Sequence, residues 1–271
     1  MRYFIICVIF LSTLTNNVMA QVVALPAGAL AFSSEHEERL FKSDDDVFAL
    51  MTALHAEPSL NNQSWQKLLH TLDKKSKKKH YQEWFVQQIF YQSHRQLLKT
   101  YEKHATFNDV LTSGTYDCVS GSAVLGLLLD RYGFEHQVVE TDYHVFIKLD
   151  IGEKTIVLES TEPLHGFISD QNSVDKFLQS FKEAAPVAQT DLKIELGSLL
   201  NSENGKSIYN EIGIHQLAGL QYYNDAVYLF NQESYELCYR QLVKAAVLYP
   251  SKRILKFRDL MEKLRAIQED D

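Results

Sequence analysis

The apolar positions of this chain recur at two periods, each marking a different kind of element. Between Val119 and Tyr132 they fall at Val119, Ala123, Val124, Leu127 and Leu128, one face of a 3.6-residue repeat, and Gly133 follows as a natural stop. That spacing predicts a helix whose first turn holds Cys118. Further on the period shortens: Tyr143 to Asp150 and Lys154 to Glu159 read as strands joined across Gly152, with His144 on the first and Glu159 on the second. A symmetric connection centred between Ile151 and Gly152 sets His144 directly opposite Glu159, with facing Cβ atoms about 5 Å apart. A slip of one residue would send the pair to opposite faces. Upstream, Tyr81 to His104 carries apolar residues from Trp84 through Ile89 and Leu97 to Tyr101, a long amphipathic helix leading to the cysteine through residues 105–114. Asp44 to Leu54 and Ser64 to Leu72 predict shorter helices, parted by the polar turn from Pro58 to Asn62.

Chemistry enters with Cys118. At a helix start the unpaired N–H groups and the positive end of the dipole favour thiolate and can receive a developing oxyanion, with Asp117 acting weakly against them. Thiol catalysis also needs a base, and a third group that holds the base in one tautomer. Cysteine, histidine and acid occur here in that chemical order. Packing is the commoner fate of an isolated cysteine, strand histidine or strand glutamate; the helix-start placement and the hairpin partner turn the reading toward catalysis.

The stretch from Leu111 to Gly166 resembles the transglutaminase-like cysteine peptidase superfamily. The matching pieces are Tyr116-Asp117-Cys118-Val119-Ser120-Gly121-Ser122-Ala123, then Tyr143-His144-Val145-Phe146, then Val157-Leu158-Glu159-Ser160-Thr161-Glu162-Pro163. The resemblance implies an α+β fold with a papain/transglutaminase-like core, a Cys-bearing helix packed on an antiparallel sheet. It makes Cys118 the nucleophile, His144 the base and Glu159 the orienting acid, where family members more often have aspartate. Glutamate is one methylene longer, so Glu159 and Glu162 both stand as acids for the ring. No side-chain oxyanion donor is assigned. His165, in the loop after the hairpin, is a weaker candidate base because nothing pairs it with an acid.

The stretch from Gly219 to Lys252 resembles a single tetratricopeptide-like repeat, with Tyr222, Asn224, Ala226, Leu229, Tyr235, Cys238, Leu242, Ala245 and Pro250 at packing positions. This makes Cys238 a core residue. One such repeat cannot bury its own apolar face, so it must rest on the catalytic domain or a partner, with the helix from Ser251 to Ile267 capping one side. A helical appendage is expected from Ile208 to Ile267, its concave side available to a protein partner. The organisation expected is a signal peptide at 1–20, a transglutaminase-like domain at 21–205 (helical 21–110, catalytic core 111–170) and a tetratricopeptide-like helical region at 206–271.

Composition bounds the rest. The chain has 271 residues, 45% hydrophobic and 23% charged, with a formal net charge of −8, as in a folded soluble protein without a global pull toward nucleic acid or anionic membrane. The basic run Lys74 to Lys79 reads as a solvated helix end or loop, and Asp44 to Asp46 as a helix N-terminal charge cluster. Met1-Arg2, the apolar Tyr3 to Leu14 and Val18-Met19-Ala20 before Gln21 form a secretory signal, so a periplasmic or secreted protein without stable membrane insertion is expected. Its removal leaves Cys118 and Cys238, which in an oxidising compartment form a pair in principle. His36-Glu37-Glu38-Arg39 lacks the second histidine of a zinc helix, no Cys-x-x-Cys occurs, and Gly114, Gly121 and Gly126 make no phosphate loop, so neither metal nor cofactor is expected. Ser120 and Ser122 make no nucleophile elbow.

The function expected is attack of Cys118 on an amide carbonyl of a peptide or protein substrate, followed by hydrolysis or by transfer to an amine, between which the residues do not choose. The alternatives are a binding or scaffold protein that keeps the fold and holds a partner on its repeat, and a structural subunit with its two cysteines joined.

Overall fold

The computed structural model describes residues 30–43, 45–78, 80–182 and 208–269. The expected signal peptide and residues 183–205 of the expected first domain lie outside them. The protein is a mixed α and β fold with an antiparallel sheet at its centre. Helices α1 (Glu35–Phe41), α2 (Val47–Met51), α3 (Gln63–Ser76) and α4 (Gln82–Gln96) precede a short strand β1 (Thr100–Tyr101), helix α5 (Phe107–Thr112) and strand β2 (Thr115–Tyr116). The long helix expected from Tyr81 to His104 therefore stops short: Thr100 and Tyr101 pair in parallel with Thr115 and Tyr116, and that ladder takes the backbone a helix would use.

Helix α6 (Cys118–Tyr132) is the axis of the fold. Its start is a reciprocal capping box, in which the Asp117 carboxylate accepts from the Ser120 N–H at 2.8 Å and the Ser120 hydroxyl accepts from the Asp117 N–H at 2.9 Å. Its end is Gly133 at φ 74° and ψ 36°, the left-handed conformation that glycine adopts without strain. The sequence marks one apolar face, yet Leu125 and Leu129 off that face are as fully buried as Ala123 and Val124, because the helix is covered on several sides.

Strands β3 (Gln137–Thr141), β4 (Val145–Ile151), β5 (Lys154–Leu158), β6 (Phe167–Ile168) and β7 (Tyr209–Ile212) form one sheet in the order β6-β5-β4-β3-β7. Alternation along β4 sends Val145, Ile147 and Leu149 into the main core beside α6, and Phe146 to the opposite face. There Val139, Phe146 and Val157 are covered by helix α7 (Gln171–Lys182) through Val174, Phe177, Leu178 and Phe181. Helices α8 (Ile214–Asn231), α9 (Tyr235–Leu248) and α10 (Lys252–Glu269) close the chain.

Two expectations are corrected here. The stretch expected to be helical from Ile208 opens with β7, which hydrogen-bonds to β3 and makes the start of the C-terminal region part of the sheet. The hairpin register also differs. Ile151 pairs with Lys154 and Ile147 with Leu158, so the turn is Gly152-Glu153, with Gly152 at φ 61° in the first turn position, where a type II′ turn needs glycine. Its centre lies one residue later than expected. The pairing shifts by two, Glu159 falls in line with Phe146 instead of His144, and a shift of two preserves the face.

The C-terminal helices share the main core with the rest of the chain. Gln221 on α8, nearly fully buried, accepts from the Phe107 N–H at 2.6 Å and donates to the Met51 carbonyl at 3.0 Å, so one side chain satisfies backbone groups of two other helices.

Candidate active site

Cys118, His144 and Glu159 come from three elements that meet at one end of the sheet. Cys118 is the first residue of α6, His144 follows the turn Asp142-Tyr143 and immediately precedes β4, and Glu159 immediately follows β5. Cys118 and His144 line a cavity of about 110 Å³ between the sheet end and α8. The Nε2 atom of His144 meets the Glu159 carboxylate through Oε2. An imidazole donating Nε2–H to a carboxylate keeps Nδ1 as its basic nitrogen.

Each member is held by its own local contacts. The His144 N–H donates to the Thr141 hydroxyl at 3.0 Å and its carbonyl accepts from the Thr141 N–H at 2.8 Å, closing the tight turn that presents the ring. Oε1 of Glu159 accepts from the Thr161 N–H at 2.8 Å and the Thr161 hydroxyl at 2.6 Å, which aims Oε2 at His144. The loop behind it folds back on itself: the Glu159 N–H donates to the Gly166 carbonyl at 2.8 Å, and a Cβ at Gly166 would stand 2.0 Å from the Glu159 carbonyl oxygen. Only glycine fits there. Of the two acids left open by the sequence, Glu159 is the one brought to the ring; Glu162 and His165 are exposed on the loop.

The thiol lies in a setting opposite to the one its helix-start placement suggests. Burial pushes the Cys118 thiol above its usual range, and the carboxylates of Asp117 and Glu159 push it further; the Val145 N–H and the Cys118 N–H act against the rise. Desolvation outweighs the helix N-terminus. Asp117 is itself buried, which raises its carboxyl, while the Ser120 N–H and hydroxyl and the Asn224 amide at 3.2 Å draw it back. Among the described contacts no hydrogen bond joins the Cys118 sulfur to the His144 ring. The arrangement is thus a thiol shifted toward its protonated form and a carboxylate-held imidazole on one cavity.

Several contributors are not apparent from sequence. Helix α8 walls the cavity with Leu220, Tyr223, Asn224 and Val227, the i, i+3, i+4 and i+7 stripe that a helix would normally bury. From α10, Arg253 reaches the cavity, forms an ion pair with the fully buried Glu140 and donates to the Asp142 carbonyl at 3.4 Å. Asn224 and Arg253 had no sequence signal for these roles, because each acts through a contact more than 100 positions away. Helix α7 was not read from the sequence, although the i, i+3, i+4 and i+7 spacing of Val174, Phe177, Leu178 and Phe181 carries its signal.

Cys238 on α9 is fully buried and burial holds its thiol up to about 12; both it and Cys118 are free thiols. Among the described residues no three His, Cys, Asp or Glu side chains converge as a metal site, and no helix is long and apolar enough to cross a membrane. No family model, no curated protein and no solved structure matches the chain.

Proposed function

We propose that this protein is a transglutaminase-like thiol enzyme that cleaves an amide bond in a peptide or protein through an acyl-enzyme on Cys118. The observation that carries the reading is the His144–Glu159 contact, with His144 lining the same cavity as a cysteine at a helix start. With the thiol neutral at rest, Nδ1 of His144 takes the thiol proton as sulfur forms its bond to the carbonyl carbon. The Cys118 and Val145 N–H groups act on the sulfur and are the donors at hand for the oxyanion charge that develops beside it. Collapse breaks the C–N bond, and His144 returns its proton to the leaving amine, leaving a thioester. Water then attacks with His144 again as base, releasing a carboxylic acid, or an amine attacks and a new amide forms. Secretion to the periplasm or beyond, proposed on the N-terminal segment, would put proteins and cell-envelope peptides within reach.

One observation favours the alternative of a binding protein that has kept the fold and holds a partner on its tetratricopeptide-like helices. The thiol is shifted toward its protonated form, and among the described contacts it makes no hydrogen bond to the ring.

An activated ester separates the two. We expect p-nitrophenyl acetate to release a burst of nitrophenol stoichiometric with the protein and to acetylate the Cys118 peptide. Cys118→Ala should abolish the burst, His144→Ala should slow it by about 10² to 10⁴, and Glu159→Gln should slow it less. Acetylation that is slow, without a burst, and equal in wild type and His144→Ala would sink the enzyme reading.

A further inference from the structure

All four residues in the apolar stripe of α7 cover the outer face of the sheet, and the last of them, Phe181, also reaches His144 at its end. Phe177 packs edge-on against Phe146 with centroids 5.0 Å apart, and Phe181 lies 5.3 Å from Phe146 and 5.1 Å from Phe177. Beyond Phe146 the Phe181 ring meets His144, with centroids 6.0 Å apart and planes 11° from parallel. This is an offset-stacked geometry, favourable for a neutral imidazole and more so for an imidazolium, which the negative face of an arene attracts. The side chain of His144 is only 22% exposed, so the aromatic wall and the Glu159 carboxylate together define the plane of the ring.

Resting on the acyl-enzyme reading for its catalytic consequence, we infer that Phe181 is a positioning residue for the His144 base. Its near-parallel contact fixes the ring plane in which Nε2 stays on Glu159 and Nδ1 is left free. Other groups near the ring are Asp142 in its own turn and, around the cavity, Cys118 on α6, Arg253 on α10, and Lys103 and His104 in the β1–α5 connection. A leucine at 181 would still fill the apolar cluster yet present no plane to the ring.

The test uses full-length protein with ¹⁵N-labelled histidine. In Phe181→Leu, the His144 ring shifts should move from a single Nε2–H tautomer toward a mixture. Acylation by p-nitrophenyl acetate should slow about tenfold at unchanged half-saturation, as expected for a small misplacement of the base. Phe181→Tyr should keep both properties. Phe177→Leu, which loosens the same cluster without touching His144, should lower the melting temperature similarly and leave the tautomer alone. A single unchanged Nε2–H tautomer in Phe181→Leu, or an equal change in Phe177→Leu, would overturn the inference. The tautomer is read without substrate. A Phe181-dependent tautomer in a protein that never acylates would therefore uphold the positioning role while removing the proposed function.

Discussion

His94 on α4 has its ring 4.6 Å from that of Phe90 and 6.0 Å from that of Tyr116, and neither of its ring nitrogens has a hydrogen-bond partner among the described residues. Burial is the largest influence on it and lowers its pKa from 6.5 to about 4, although the Glu159 charge pulls the other way. In the unfolded chain the same ring protonates near 6.5. As pH falls from 6.5 to 4 the unfolded state therefore takes up a proton that the folded state refuses, and stability is lost across that window and levels off below it. At about 1.4 kcal/mol per pH unit the loss amounts to about 3 kcal/mol. His94→Phe keeps an aromatic ring in the apolar setting and removes the titration. Its urea midpoint should fall much less than that of wild type between pH 7 and pH 4.5; equal falls would show that His94 is not the titrating group. The thiol of Cys118 obeys the same rule, with desolvation outweighing the local dipole. Helix-start placement was legible from the sequence, and the sign of the thiol shift was not, because burial is a property of what packs around the sulfur.

At the scale of the element, α6 and the end of β5 meet through Gly121. A Cβ there would lie 2.7 Å from the Ser160 hydroxyl oxygen and 2.9 Å from the Ser160 Cβ. Two effects of Gly121→Ala oppose each other: alanine favours helix by about 1 kcal/mol, and overpacking costs about 1 to 3 kcal/mol. The clash involves a short, fully buried side chain that has nowhere to turn, so packing should win and the variant should be less stable by about 1 to 2 kcal/mol. Combining it with Ser160→Gly should restore most of the loss. A stabilised single variant would mean that α6 can shift at no cost. The existence and limits of α6 were legible in its apolar spacing and Gly133, and the hairpin in its alternation. The hairpin register was not, since the position of Gly152 within the turn decides it and alternation is blind to a shift of two. The early end of α4 was equally hidden, because apolar Leu97, Leu98 and Tyr101 suit a helix until β2 is there to pair with β1.

At the scale of the molecule, the two ends of the described chain are joined by a buried ion pair. Nζ of Lys244 on α9 lies 2.6 Å from Oε1 of Glu37 on α1, with both side chains at most 4% exposed. Glu37 also accepts from the Tyr222 hydroxyl at 3.3 Å and the Ser33 N–H at 2.6 Å, so its lone pairs are well used. Burial lowers the Lys244 pKa and Glu37 opposes that shift. Breaking one side of such a pair leaves a desolvated charge behind, so Lys244→Ala should cost about 3 to 5 kcal/mol. Lys244→Met with Glu37→Gln should recover much of this, as measured by chemical denaturation. A single variant costing less than about 1 kcal/mol would show that water reaches Glu37. The neighbouring C-terminal helices share one core with the sheet and bring Asn224 and Arg253 to the cavity.

What the sequence by itself determined follows from short-range physics. Apolar period, capping residues and glycine position specify α6 and the β4–β5 hairpin, and with them a cysteine, a histidine and an acid at the ends of those elements. Tertiary structure decided everything that needs a distant partner. It chose Glu159 over Glu162 by folding the loop back onto Gly166, added β7 to the sheet by pairing it with β3, and set α8 as a wall of the cavity. It also decided the direction in which the Cys118 thiol shifts, because desolvation is summed over every chain segment around the sulfur, and no window of sequence contains them all.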